Sequence, residues 1–222
     1  MSMHLHRAIE GLKSKILELS ALVEESVYRA LKAVETRDTV LAHEVADSDS
    51  RIDLAEVDVE EECLKILALH QPVATDLRFI VAVLKINNDL ERIGDLAVNI
   101  SKRASALAKI NTKPLVHIDL QALEKNVQQM LRNSLASLVN LDEGLARSVC
   151  AADDAVDEIN RNVHKQVIQS IREFPEDADR LILLLSVSRN LERIGDHTTN
   201  IAEDVLYMIR GEIVRHSQAL KG

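Results

Sequence analysis

Leu90-Glu-Arg-Ile-Gly-Asp95 returns letter for letter as Leu191-Glu-Arg-Ile-Gly-Asp196, and Asn99-Ile100 follows the first copy at the spacing at which Asn200-Ile201 follows the second. The chain is therefore read as two copies of one unit. In each copy an acid pair stands four residues apart, Glu91 with Asp95 and Glu192 with Asp196. On a helix that spacing sets both carboxylates on one side, one turn apart.

Outward from the first copy, Val83, Ile86, Leu90, Ile93 and Ala97 recur at helical steps. They predict a long helix from about residue 74 to 109, with Glu91 and Asp95 on the edge of its apolar arc and Lys85, Asp89 and Arg92 on the polar side. Gly94 in the interior of such a helix costs about 1 kcal/mol against Ala. Its return as Gly195 points to a close helix approach.

Upstream, Leu5, Ile9, Leu12, Ile16, Leu19, Val23, Val27 and Ala30 predict a first helix ending near Asp38. A second begins near Thr39 and stops before Gln71-Pro72, because the residue preceding proline is pushed away from helical angles. Beside the apolar seam of the second helix stand Asp49, Asp53, Glu56 and Glu60. Neighbouring like charges at this spacing repel by about 0.2 to 0.5 kcal/mol per pair, so the stripe calls for a compensating charge.

After Pro114 the pattern restarts as three more helices. At an offset of 104 residues Asp49 and Asp53 become Asp153 and Asp157, Glu56 becomes Asn160 and Glu60 becomes His164; the Leu-Glu-Arg-Ile-Gly-Asp copies lie at an offset of 101, so the second repeat has the shorter link before its last helix. The reading is all-α: two tandem antiparallel three-helix bundles, residues 1–112 and 113–222, packed side by side or end to end.

Composition agrees with this reading. Among 222 residues 46% are hydrophobic but only 2% aromatic, with six glycines and three prolines, which suits long aliphatic helices. The formal charge of −9 opposes a nucleic-acid backbone, and no basic stripe offsets it. No apolar run approaches the roughly 18 residues that cross a bilayer. Membrane insertion is therefore not expected, and the chain reads as cytoplasmic. Cys63 and Cys150 occupy unmatched positions and read as structural.

If the acid edges of neighbouring helices meet, four carboxylates crowd each repeat, an arrangement that requires protons or cations. Oxygen-rich clusters of this kind suit magnesium, calcium or manganese and can also bridge iron or zinc. The sequence carries no GxxxxGK[ST] loop, no HExxH and no Glu-x-x-His in the repeated motif. His197 reads as a polar surface residue, and Arg92 and Arg193 alike as side chains that snorkel or pair with acids rather than bind a ligand. A metal-storage or metal-dependent redox bundle is the alternative to a non-catalytic regulator, and a purely structural adaptor with solvated acids is a third reading.

The doubled motif, with Gln71-Pro-Val-Ala-Thr-Asp-Leu-Arg78 at the entry to the third helix, resembles the PhoU family of phosphate-signalling regulators over essentially the whole chain. That resemblance implies pseudo-twofold bundles, each with a surface metal cluster. The ligands carried over are Asp49, Asp53, Glu91 and Asp95 in the first repeat and Asp153, Asp157, Glu192 and Asp196 in the second. It further implies a homodimer that links the phosphate-specific ABC transporter ATPase to a sensor histidine kinase and represses the starvation response. The second repeat departs from the first at Asp179, which aligns with Arg78, and at Asn160 and His164.

Overall fold

The computed structural model describes residues 3–110 and 114–211. Six long helices carry the fold: α1 (Met3–Thr36), α2 (Thr39–His70), α3 (Ala74–Ala108), α4 (Gln121–Asn140), α5 (Glu143–Glu173) and α6 (Ala178–Arg210). A 3-10 turn, Pro175–Asp177, leads into α6. The boundary read between residues 112 and 113 lies outside the described residues.

The first turn of each repeat is built the same way. Arg37 and Leu141 adopt left-handed backbone angles (φ 54° and 48°), and the aspartate that follows caps the next helix. Asp38 accepts from the Val40 and Leu41 amides at 2.9 and 3.0 Å, and Asp142 from the Leu145 amide at 3.0 Å. Each cap satisfies amides that would otherwise lack a partner at the helix start. The second turns differ. Gln71, Pro72 and Val73 separate α2 from α3, whereas α5 passes through Phe174 directly into the 3-10 turn.

Within each bundle the repeated glycine lies tight against a side chain of the neighbouring helix. A Cβ on Gly94 would stand 3.1 Å from Ile52 Cδ1, and one on Gly195 3.3 Å from Val156 Cγ1. Ile52 and Val156 are equivalent residues of α2 and α5, so the duplicated glycine is explained by helix packing. The aliphatic faces read from the sequence are buried: Val83, Ile86, Leu90, Ile93 and Ala97 have no exposed surface. Buried side chains of both repeats form one cluster.

The bundles lie side by side, with the most extensive helix contact between α3 and α6. Three polar pairs fix its direction. Lys85 Nζ bonds Asp204 Oδ1 at 3.2 Å, Asp89 Oδ1 accepts from Asn200 at 3.1 Å, and Arg103 Nε donates to Ser186 at 3.0 Å. Residue numbers rise along one helix as they fall along the other, so the two run antiparallel about a pseudo-twofold axis. Lys85 with Asp204 and Ser186 with Arg103 are equivalent pairs under it.

This seam corrects the expectation that Lys85 and Asp89 point to a polar outer side. Asp89 is buried and Lys85 half-buried. His197, expected on the surface, is half-buried with Nδ1 2.7 Å from Asp89 Oδ1. A wheel assigns charges to solvent by default; here α6 brings partners for them instead.

Candidate metal centre

The candidate ligands lie where α2 meets α3 and where α5 meets α6. In the second repeat Asp157, from α5, and Glu192 and Asp196, from α6, each offer a carboxylate oxygen, and these oxygens lie within 4.8 Å of one another. Metal–oxygen distances of about 2.0 to 2.6 Å separate ligands on one ion by up to about 5 Å. The donor set therefore fits one hard cation. Asp153 stands beside this group, accepting from Thr199 Oγ1 at 3.2 Å, and its charge acts on both Glu192 and Asp196.

The mutual repulsion shows in the acidities. Burial, then the charges of Glu192, Asp153 and Asp157, push the Asp196 carboxyl up to about 6 although its side chain still reaches solvent. Glu192 is raised by burial and by Asp157 and Asp153. An unfolded aspartate titrates near about 3.9, so between roughly pH 4 and 6 the folded, metal-free protein holds more protons than the unfolded chain. Stability contributed by this group is then greatest at low pH and is lost as pH rises through that window. Chelator-treated protein is expected to melt at a higher temperature at pH 5 than at pH 7.5, with added Mn²⁺ recovering the loss at pH 7.5. A melting temperature that climbs between pH 5 and 7.5 without metal contradicts this.

The first repeat brings the same residue types together more loosely. Asp49 is raised by burial and by Asp53 and Asp95, and Glu91 by burial and by Asp95, so the four acids share one field. Among the described residues, however, their oxygens do not gather within the span of a single ion. Arg92 supplies the positive charge here: its Nε lies 3.4 Å from Glu91 Oε2 and its Nη1 3.4 Å from Asp95 Oδ2. Arg92 thus pairs with acids as its sequence position led us to expect. Arg193, read from the sequence in the same way, makes no such ion pair among the described residues and is exposed.

Two neighbours escaped the sequence reading. Thr199 follows Asp196 by three residues, one turn on, and Asn87 precedes Glu91 by four and donates Nδ2 to the Glu56 side chain. Both lie on the stripe that the acids define, a signal available from spacing alone. The thiols take no part: burial first of all pushes Cys63 up to about 12 and Cys150 up to about 11, which keeps both protonated.

The PhoU domain model matches this chain twice, over residues 16–104 and 120–205. The chain belongs to the PhoU family. Relatives include the phosphate-specific transport system accessory protein PhoU homolog of Aquifex aeolicus, 39% identical with 96% of each chain covered. The homolog from Pseudomonas aeruginosa is 36% identical over 97% of this chain and 89% of its own length. Among solved structures, PhoU from Pseudomonas aeruginosa superimposes with a TM-score of 0.90 at 35% identity, covering 93% of this chain and 99% of that one. The phosphate transport system regulatory protein PhoU from Streptococcus pneumoniae gives 0.84 at 27% identity, over 96% and 98%. The two matched ranges of this chain span the acid pairs described above, with Asp49, Asp53, Glu91 and Asp95 in the first and Asp153, Asp157, Glu192 and Asp196 in the second.

Proposed function

We propose that this PhoU-family protein is a non-catalytic, metal-binding regulator of phosphate uptake. It works in the cytoplasm as a homodimer, coupling the phosphate-specific ABC transporter ATPase to a sensor histidine kinase and holding the phosphate-starvation response off when phosphate is plentiful. The observation that carries the metal part is the convergence of Asp157, Glu192 and Asp196 within 4.8 Å. The transport part is supported by relatives named as accessory proteins of the phosphate-specific transport system.

Asp153, Asp157, Glu192 and Asp196 would hold iron, zinc, magnesium or manganese in the second repeat, and Asp49, Asp53, Glu91 and Asp95 in the first. A bound cation there supplies the positive charge that the clustered carboxylates lack. The protein's own part is to aim acids from two helices at one place. Among the described residues no helix is long and apolar enough to cross a membrane.

Deleting the gene is expected to switch on a phosphate-starvation reporter in phosphate-rich medium. The wild-type gene should silence it again, and a form with Glu91, Asp95, Glu192 and Asp196 all changed to Ala should not. A reporter that stays silent in the deletion strain overturns the signalling role; full silencing by the quadruple variant overturns the role of the metal.

A further inference from the structure

The outer side of α2 carries large apolar side chains that no described residue covers. Leu54, Val57 and Leu64 are 71%, 47% and 54% exposed, and Ala68 is exposed beside them. With Glu61 between them, residues 54, 57, 61, 64 and 68 advance by three and four, so all five share one side of the helix. That side lies roughly opposite the buried seam of Ile52, Val59 and Cys63. A single exposed aliphatic is ordinary, whereas several in one stripe mark a contact surface.

The second repeat shows that the bundle does not require this stripe. With Ile52, Val59 and Cys63 aligned on the buried Val156, Val163 and Val167, the equivalents of Leu54, Val57, Glu61 and Ala68 are Glu158, Arg161, Lys165 and Arg172. Glu158 and Arg161 form an ion pair at 3.0 Å. Of the apolar residues, only Leu64 keeps an apolar equivalent, Ile168. The same helix side is thus charged in one half and apolar in the other, above seams that pack alike.

Charge selects what can cover it. Glu61 lies within the stripe and Glu60 along its edge, both exposed and without an ion pair among the described residues. On the far edge Asp58 is already paired with Lys15, and Glu62 with Lys65 at 3.4 Å. Laying α2 against α2 of a second copy would set acid against acid, in a chain whose formal charge is −9. The α5 side of a second copy offers cations but one exposed large aliphatic, Ile168, and would leave most of the stripe in water. An anionic lipid surface is repelled by the same acids.

We infer that the outer side of α2 docks a basic amphipathic helix of another protein, whose apolar residues cover Leu54, Val57 and Leu64 and whose Lys or Arg residues face Glu60 and Glu61. The aliphatic anchors supply affinity, and the acids select the partner and speed its approach. The inference rests on the reading of this protein as a regulator that meets protein partners, and makes no use of the metal.

The test uses the full chain and two synthetic peptides of about 15 residues, long enough for a helix. One has Leu at i, i+3, i+4 and i+7 and Lys elsewhere; the other has the same composition in scrambled order. Calorimetric titration of the wild-type protein is expected to give a Kd at least about 10-fold lower for the patterned peptide. Leu54→Glu with Val57→Arg gives α2 the pair that α5 carries and leaves the net charge unchanged. It should erase the preference without lowering the melting temperature. Glu60→Gln with Glu61→Gln should weaken the patterned peptide and make its binding less sensitive to salt.

Equal affinity of the wild type for both peptides, or an undiminished preference in Leu54→Glu with Val57→Arg, overturns the inference. Unchanged affinity and salt dependence in the glutamine variant overturns the basic character of the partner. A change of molecular mass by light scattering in Leu54→Glu with Val57→Arg makes a second copy the occupant and overturns it too. Should that variant fail to fold, Leu64→Gln answers by the same criterion. A deletion strain whose starvation reporter stays silent fails the regulatory reading instead.

Discussion

Changing Asp157 to Asn, Glu192 to Gln and Asp196 to Asn together will abolish divalent metal binding at the second repeat. The three oxygens of that group lie within 4.8 Å, and in the proposed site they would be the charged donors that replace a cation's water shell. Loss of a single outer partner of a metal site costs about 10- to 100-fold in affinity, so loss of three direct ligands should exceed about 100-fold. The same variant should be more stable than wild type in chelator at pH 7.5, because burial and mutual repulsion raise Asp196 and Glu192 in the folded state. Elemental analysis after gel filtration, with thermal melts in chelator, measures both. Retained stoichiometric metal at this repeat, in protein whose first site is also disabled, would count against the assignment.

The largest stability effect is expected at Arg180, far from the acids. Arg180 and Asp177 are 5% and 4% exposed and form a two-pronged pair; Nε to Oδ1 is 2.8 Å, and Nη2 reaches Oδ2. Arg180 Nη2 also donates to the Val116 carbonyl at 2.5 Å, while Asp177 Oδ2 accepts from the Leu115 amide at 3.3 Å. The pair therefore ties the segment before α4 to the start of α6, and hydrogen bonding to Arg180 holds the Asp177 carboxyl below the usual range. Arg180→Ala strands a buried carboxylate and should cost about 3 to 5 kcal/mol. Arg180→Met combined with Asp177→Ala removes both charges and should recover much of that loss. Urea unfolding of the two variants and wild type measures it; a double variant as unstable as Arg180→Ala would show that packing, not charge, sets the cost.

Much of this molecule was legible in its sequence because its information is periodic. The seams of α1 and α3, the proline before α3 and the doubled Leu-Glu-Arg-Ile-Gly-Asp each report on residues within a few turns of themselves, and the helices follow them closely. The acid stripes were legible for the same reason. What escaped depends on partners far away in the chain. Asp89 looked solvated until Asn200 and His197 arrived from α6, and Lys85 until Asp204 did. The unequal gathering of the two acid groups was also hidden. Arg92 and Arg193 occupy identical positions in the repeat, yet Arg92 bridges its acids while in the second repeat the acids gather without such a bridge. No spacing rule separates two copies of the same six letters.

The α3–α6 seam has one further consequence. Its axis sets each half's residue at the Lys85 or Ser186 level opposite the other half's residue at the Asp204 or Arg103 level. Two first halves meeting in the same manner would oppose Lys85 to Arg103, like charge to like, and two second halves would oppose Ser186 to Asp204. Unlike halves make the better match, which discriminates against the pairing of two identical halves through this face. A chain assembled from near-copies thus carries, in four side chains, the instruction that each half should meet its counterpart rather than its own duplicate.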